Sequence, residues 1–470
     1  MDKVISKKIL EDKKNGLTDK DIGDKYGVNL KFIERVITRE IGINLSIPLI
    51  SKQKIKNLQP KNFNLEKATV WSFKSRGNWA THNGNYRGNW SPYIPRNVLL
   101  RYSKEGDTVL DYFCGAGTTG VECKLLNRNF IGIDINPQAI ELARLNLDFD
   151  NDSKFYNKSK ILIQVGDARN LNFLKDNSIN LICAHPPYAN IINYTFENPA
   201  DLSNFKENDF LLEISKVARE SFRILKNNSY CAILIGDLRR NKNVIPLGFW
   251  TIERFLKEGF NLEDLIIKRQ HNCKTTGFWY TNSIKYNFLL LAHEYLAIFK
   301  KISDKPKISD ISQGTLFKKF KGTEKKLFQK IDLESTTVWI FSEKNWKEQA
   351  FKNLIQRYSS DHDYFIFKNT DFNKKYSLII SEYSSNLFNF TNFINEHLNS
   401  EGIFAIICED IRLENELISS EALKTEQTLR NSNLFQIKEI VVVSLENHTN
   451  TNSKDNLEIS HKYILIYKKK

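Results

Sequence analysis

Two hydrophobic periods alternate along the middle of this chain. Between Thr108 and Lys300, apolar runs of strand length stand in the order TVLDYF, NFIGIDI, ILIQVGD, INLICA, YCAILIGD, LEDLIIKR and YNFLLLAHEYLAIF. Segments whose apolar residues recur every three or four positions lie between most of them, as in PQAIELARLNL and FLLEISKVARESFRIL. Short continuous apolar runs predict strands covered on both faces, and the 3.6-residue period predicts amphipathic helices. Their alternation predicts an α/β domain with a mostly parallel sheet.

The flanking regions differ. In residues 1–45, Ile5, Ile9 and Leu10 keep helical spacing, and GLTDKDIGDKYGVNLKFIERVI follows. Thr18 can cap a short helix through Ile22 to Tyr26, Gly27 supplies a turn, and Phe32, Ile33 and Val36 mark a second helix. The pattern resembles a helix-turn-helix, whose second helix would offer Lys31, Arg35 and Arg39 to DNA. A plain helical hairpin packed on the next domain would have the same pattern. Residues 46–69 and 301–322 are polar, irregular and linker-like. They bound a domain at 70–300 and a further region at 323–470.

That last region echoes the one before it. Val338-Trp339-x-Phe341 repeats Val70-Trp71-x-Phe73. Asn345-Trp346 precedes Arg357-Tyr358-Ser359 as Asn89-Trp90 precedes Arg101-Tyr102-Ser103. Ala405, Asp410 and Arg412 follow Ala232, Asp237 and Arg239 at a constant offset of 173. NLFQIKEIVVVSLENH echoes GFNLEDLIIKRQHN, and HKYILIYKK echoes HEYLAIFKK. Ordered matches of this kind predict an internal duplication.

Composition narrows the function classes. The 470 residues are 41% hydrophobic and 26% charged, an ordinary globular mix. The net charge of +14 suits a polyanion partner, nucleic acid first, although a Lys-, Asn- and Ile-rich chain also follows from an AT-rich genome. None of the six cysteines pairs at metal-ligand spacing, so no metal and a reducing cytoplasm are expected. No apolar run reaches the ~18 residues of a membrane span, and the first residues lack the apolar core of a secretory signal.

Chemistry concentrates in two places. In TVLDYFCGAGTTGVECKLLNRNFIGIDINP an apolar strand ends in Asp111, Gly115 and Gly117 turn the chain, and Thr118 and Thr119 open a helix. The next strand ends in Asp134. Glycines let a ligand approach backbone amides, and an acid about twenty residues on suits ribose hydroxyls. Because Gly120 completes a nominal G-x-G-x-x-G, this motif alone leaves a dinucleotide and S-adenosylmethionine both open. Further on, the strand INLICA runs into His185-Pro186-Pro187-Tyr188. Two prolines withhold backbone donors, and Tyr188 offers a flat face for a planar base carrying an exocyclic amine. Asp167, ending ILIQVGD, can accept from a cofactor's adenine amine.

Together these residues resemble the amino-methylating DNA methyltransferases, the N6-adenine/N4-cytosine family. Asp111-Tyr112-Phe113-Cys114-Gly115-Ala116-Gly117-Thr118-Thr119 stands for the family's D-P-F-x-G-S-G-T-T, and His185-Pro186-Pro187-Tyr188 for its [D/N/S]-P-P-[Y/F]. The resemblance covers about residues 70 to 300. It implies a Rossmann-like S-adenosylmethionine-dependent methyltransferase domain. It also implies cofactor contacts from Asp111, Phe113, Gly115, Gly117, Thr118, Thr119, Asp134 and Asp167, and catalysis by the His-Pro-Pro-Tyr segment. Double-stranded DNA becomes the expected partner, with a cognate restriction endonuclease as a candidate second one. An RNA base methyltransferase and a non-catalytic DNA-binding regulator with a methylase fold are the alternatives. His185 departs from the family's Asp, Asn or Ser: either its imidazole accepts from the target amine, or the Pro186 carbonyl does.

Other clusters carry two readings each. Trp71, Trp79 and Trp90 with Arg76, Arg87, Arg96 and Arg101 suit either DNA contact or a core. Gln270 to Thr276 suits either a groove-facing loop or a solvated hairpin. His293-Glu294 reads as structural, inside a final strand. In the second copy only 12 residues separate Asp363 from Tyr376, the glycine turn is gone, and Glu382-Tyr383-Ser384-Ser385 stands at the His-Pro-Pro-Tyr place. That copy is expected to be non-catalytic, serving as recognition surface, pseudo-dimer interface or brace.

Overall fold

The computed structural model describes residues 2–470 except 16, 18, 29–31, 34–35, 37–54, 56, 85, 87, 150–158, 190–194, 196–197, 272–276, 303–332, 360–362, 367–373, 384–386 and 447–455. The predicted alternation of strands and helices is present. Strands β1 (Val70–Trp71), β2 (Thr108–Asp111), β3 (Asn129–Asp134), β4 (Ile161–Val165), β5 (Ile179–Ala184) and β6 (Leu225–Gly236) come first. A small hairpin, β7 (Leu238–Arg240) with β8 (Asn243–Ile245), precedes β9 (Asn261–Arg269) and β10 (His293–Lys300). The eight main strands form one sheet in the order β1-β9-β10-β6-β5-β2-β3-β4. β10 runs antiparallel between β6 and β9, and every other pairing is parallel.

The apolar runs are continuous because both faces of this sheet are covered. Leu110, Ile182, Ile233 and Ile235 pack on one side with Phe210 and Val217 of helix Glu207–Ile224 and Phe249 and Phe255 of helix Leu247–Lys257. Their chain neighbours Val109, Leu181, Ala232 and Leu234 pack on the other side with Val98, Val121 and Ile140 of helices Tyr93–Tyr102, Thr118–Leu125 and Pro137–Leu147. Alternate side chains therefore serve alternate faces, as a doubly wound sheet requires. This is a Rossmann-like methyltransferase fold.

A second sheet follows. Its strands are β11 (Val338–Ser342), β12 (Tyr364–Ile366), β13 (Tyr376–Glu382), β14 (Leu398–Cys408), β17 (Phe435–Glu446) and β18 (His461–Lys469), and a hairpin of β15 (Asp410–Arg412) and β16 (Ile418–Ser420) stands beside it. The order β11-β17-β18-β14-β13-β12 matches β1-β9-β10-β6-β5-β2, again with one antiparallel strand, β18. Among the described residues, only β3 and β4 have no counterpart. Local detail matches as well. Trp71 and Trp339 Nε1 each donate to a carbonyl three residues back, at 3.0 Å in both cases. Asn97 and Asn353 accept the Glu66 and Glu334 amides at 2.8 and 2.9 Å.

The two sheets meet through reciprocal contacts. Arg239 grips Glu439 of β17 and donates to the Leu289 carbonyl. Arg412 grips Asp264 of β9 and donates to the Leu457 carbonyl. His293 Nδ1 lies 2.9 Å from Thr337 Oγ1, and His461 Nδ1 lies 2.8 Å from Thr69 Oγ1. Each histidine then meets a tyrosine two residues on, Tyr295 or Tyr463, whose hydroxyl donates to Asp237 or Asp410. The same patch used twice is the signature of an isologous interface.

One expected strand is split by this contact. The run YNFLLLAHEYLAIF gives a strand only from His293. Leu289 instead enters the core of the second sheet beside Trp339, while Leu457 enters the core of the first beside Trp71. The stretch before His293 is apolar because a neighbouring unit covers it.

At the other end, helices Asp2–Lys14 and Asp19–Tyr26 are present. Ile9, Ile22, Ile33 and Val36 bury against Tyr86, Ala116, Ala139 and Leu142. The apolar face of this head thus docks beside the glycine turn. Lys31, Arg35, Arg39 and Arg87 lie outside the described residues.

Candidate active site

The chain leaves β2 for β3 and β4 on one side, then returns to lay β5 on the other side of β2. Such a reversal opens a crevice at the carboxyl ends of the strands. Asp111 ends β2 and His185 follows β5, so the two motifs, about seventy residues apart in sequence, face one cleft. It is lined by Asp111, Phe113, Gly115, Asp134, Asp167, His185 and Pro187, and the space between these walls, counting the solvent at its open mouth, is about 690 Å³. Tyr86, Asn89, Trp90 and Asp201 also line it.

The glycine turn needs its glycines. Gly115 and Gly117 adopt φ of +48° and +79°. A Cβ on Gly115 would stand 2.9 Å from the Tyr86 ring, and one on Gly117 2.9 Å from Leu147. Around the turn, Asp111 accepts from the Phe113 amide at 3.1 Å and the Thr119 hydroxyl at 2.6 Å. Asp134 accepts from the amides of Gly115 and Asn136, each at 2.9 Å. Thr118 donates to Asn89 at 2.5 Å, tying the Trp- and Asn-rich block to the turn.

Burial pushes Asp111 up to about 7, against the Thr119 and Phe113 hydrogen bonds that favour its charge. It pushes Asp134 up to about 6 in the same way, against the Asn136 and Gly115 amides. Two buried carboxyls titrating near neutrality form a site that a cation would stabilise. S-adenosylmethionine, a sulfonium with an ammonium group and ribose hydroxyls, fits this donor set and the glycine cradle. Asp167 reaches the cleft, but its carboxylate is clasped by Arg169 at 2.6 to 3.1 Å.

At the opposite wall, Trp90 stacks on His185 with centroids 5.5 Å apart and planes 22° apart. His185 Nε2 lies 2.9 Å from the Tyr188 hydroxyl, which donates to Glu294 Oε1 at 2.6 Å. Lys268 Nζ donates to the other oxygen of Glu294 at 2.7 Å. The Tyr188 ring lies over Gly236, where a Cβ would approach it to 2.9 Å.

Some expectations change here. The three tryptophans are core residues, at most 6% exposed. Arg76, expected to reach DNA, instead donates to the carbonyls of Asn83, Asn89 and Trp90 and so closes the loop that carries Trp90. Arg96 is bound to Glu122, which also accepts from Trp79 and His82. His293 is structural as read, whereas its neighbour Glu294 belongs to the site. Sequence reasoning missed Tyr86, Asn89, Asp201, Gly236, Lys268 and Glu294. The one available signal was the internal repeat, in which Gly236, Lys268 and Glu294 change to Glu409, Val443 and Lys462.

Comparison with known proteins agrees with this geometry. Residues 38–145 match a family model described as DNA methylase, and residues 103–274 one described as methyltransferase domain. Over these residues the chain is similar to the DNA methylases. Relatives include the type II methyltransferase M2.DpnII of Streptococcus pneumoniae, 44% identical over 61 residues, covering 13% of this chain and 23% of the relative. The type II methyltransferase M.HinfI of Haemophilus influenzae is 30% identical over 162 residues, covering 32% and 40%. The chain thus spans well under half the length of these relatives. A SAM-dependent methyltransferase structure from Methanosarcina mazei is 17% identical, covering 43% of this chain and 96% of that one at a TM-score of 0.31. The fold is carried by the strand order itself. Among the described residues, no cluster of three or more His, Cys, Asp or Glu could hold a metal, and no helix is long and apolar enough to cross a membrane.

Proposed function

We propose that this chain transfers a methyl group from S-adenosylmethionine to the exocyclic amine of adenine N6 or cytosine N4 in double-stranded DNA, at a specific sequence. The observation that carries it is the meeting of the glycine turn with His185 and Pro187 of the His-Pro-Pro-Tyr segment in one cleft at the switch point between β2 and β5. When bound, S-adenosylmethionine supplies an electrophilic methyl on a sulfonium that keeps the bonding pair as it leaves.

The protein's part is alignment and electrostatics. Asp111 and Asp134 hold the cofactor side. A base turned out of the duplex stacks on Tyr188, which offsets part of the unstacking cost. Its amine donates to His185 and to the Pro186 carbonyl, so the nitrogen lone pair leaves conjugation and points at the methyl carbon. After transfer the amine loses one proton.

The family's commoner target makes adenine the favoured base. A cognate restriction endonuclease is the candidate partner. Within this reading, residues 70–300 are the catalytic unit and residues 323–470 a degenerate copy that lacks β3 and β4 and takes the place of a second subunit. Lys31, Arg35, Arg39 and Arg87 remain candidate DNA contacts.

Long-read sequencing of plasmid from an expressing host tests this directly. Modified amines at one short motif are expected. Unmodified plasmid alongside methylated transfer RNA would transfer the reading to RNA, and neither product would favour a non-catalytic DNA-binding regulator.

A further inference from the structure

We propose that Glu294, held in place by Lys268, is a positioning residue that orients the Tyr188 hydroxyl and thereby selects which nitrogen of His185 carries its proton. The proposal deepens the methylase reading and rests on it for the identity of the amine that His185 meets.

A carboxylate only accepts, and a phenol has one proton. Burial alone would push Glu294 up, but the Lys268 ammonium first, then the His185 ring and the hydrogen bonds from Lys268 and Tyr188, outweigh it and hold the carboxyl below its ordinary value. Glu294 is therefore ionised, and the Tyr188 proton points to it across 2.6 Å. The Tyr188 oxygen then turns a lone pair toward His185 Nε2, 2.9 Å away. That contact is a hydrogen bond only if Nε2 carries the proton.

Burial, partly offset by the Glu294 charge, lowers His185 to about 4, so the ring holds a single proton at neutral pH. The Gly88 carbonyl also favours a proton on this ring. Two groups thus claim one proton, and the ionised Glu294, acting through Tyr188, decides for Nε2. Nδ1 then carries the lone pair that an amine donor requires, and the incoming amine takes the place of the Gly88 carbonyl beside the ring. This explains how histidine can stand where the family has Asp, Asn or Ser.

The second sheet supplies an internal control. Its histidine–tyrosine–aspartate chain is retained at His461, Tyr463 and Asp410. At the positions of Lys268, Glu294 and Gly236 it has Val443, Lys462 and Glu409. Those three differ together with the loss of His-Pro-Pro-Tyr, so they follow the chemistry and not the packing.

The test uses the full chain with specifically labelled histidine. Long-range proton–nitrogen spectra should show His185 with Nε2 protonated in the wild type, and loss of that tautomer in Glu294→Gln and Tyr188→Phe. Both variants should keep S-adenosylmethionine affinity and lose about 10- to 100-fold in kcat, the scale of a misaligned reacting group. The double variant should lose no more than either alone, because both break one chain. Lys268→Met should fall between wild type and Glu294→Gln.

A wild-type His185 protonated at Nδ1, or a Glu294→Gln enzyme with unchanged tautomer and kcat, overturns the proposal. A wild type that transfers no methyl to DNA overturns the methylase reading instead, and the tautomer assignment is then decided by the spectra alone.

Discussion

Two sheets in this chain share a strand order, yet only one carries a complete cleft. They agree at Trp71 and Trp339, at Asn97 and Asn353, at Arg239 and Arg412, and at the two histidine–tyrosine–aspartate chains. They differ at β3 and β4, at the glycine turn, and at every residue around Tyr188. What agrees either packs a sheet or joins it to the other sheet. What differs includes the glycine turn that lines the cleft and the Gly236, Lys268 and Glu294 positions around Tyr188. The molecule thus separates residues kept for architecture from residues kept for chemistry, without an alignment of homologues.

The comparison is most directly broken by giving the first sheet a residue from the second. Gly236→Glu places a side chain where even a Cβ lies 2.9 Å from the Tyr188 ring. Methyl transfer is expected to vanish while S-adenosylmethionine binding, measured by calorimetry, is retained. Transfer at the wild-type rate would mean that Tyr188 has no role in alignment.

Next in size is the shared interface. Arg239→Ala leaves Glu439 fully buried without its ion partner, at a cost of about 3–5 kcal/mol. Arg412→Ala does the same to Asp264, and equal losses in a denaturant titration would show the two halves to be equivalent. A large loss on one side only would show that the symmetry of contacts is not a symmetry of energies.

A smaller effect concerns pH. In the free protein Asp111 and Asp134 titrate at about 7 and about 6, both raised by burial. A bound cation favours their ionised forms, so binding below these values must release protons. Affinity for S-adenosylmethionine should therefore rise by roughly tenfold as pH climbs from about 6 to about 7, then level off. Calorimetry in buffers of different ionisation heat would register the proton release. The smallest expected effect is none: writing His-Pro-Pro-Tyr into positions 382–385 should produce no second activity, because the second copy has no glycine turn in its sequence and, among the described residues, no strand matching β3 to carry a counterpart of Asp134. Any transfer from that graft in a Tyr188→Ala background would break the comparison.

The sequence carried much of this in local patterns. Asp111, Gly115, Gly117 and Asp134 announce themselves because turn and strand end lie within two dozen residues, and backbone conformation at the glycines admits few other residues. His185 to Tyr188 was legible for the same reason. Glu294 was not, since its meaning depends on Tyr188, 106 positions away, and on a neighbouring strand. Arg76 stood between two readings because a basic side chain near tryptophans suits DNA as well as it suits three backbone carbonyls. The apolar stretch around Leu289 looked like one strand because sequence does not say which unit buries a leucine. Lys31, Arg35, Arg39 and Arg87, outside the described residues, keep the standing they had as sequence.

The exchange of Leu289 and Leu457 between cores has a consequence for synthesis. From Lys300, the end of β10, to His461, the start of β18, the ribosome adds 161 residues (461 − 300). At about 5–20 residues per second this takes roughly 8–30 s. Throughout that interval the nascent first sheet holds its interface uncovered, with Arg239 and Asp264 awaiting partners. Translation speed over the second half of the message therefore sets how long the first half must wait in a sticky, incomplete form.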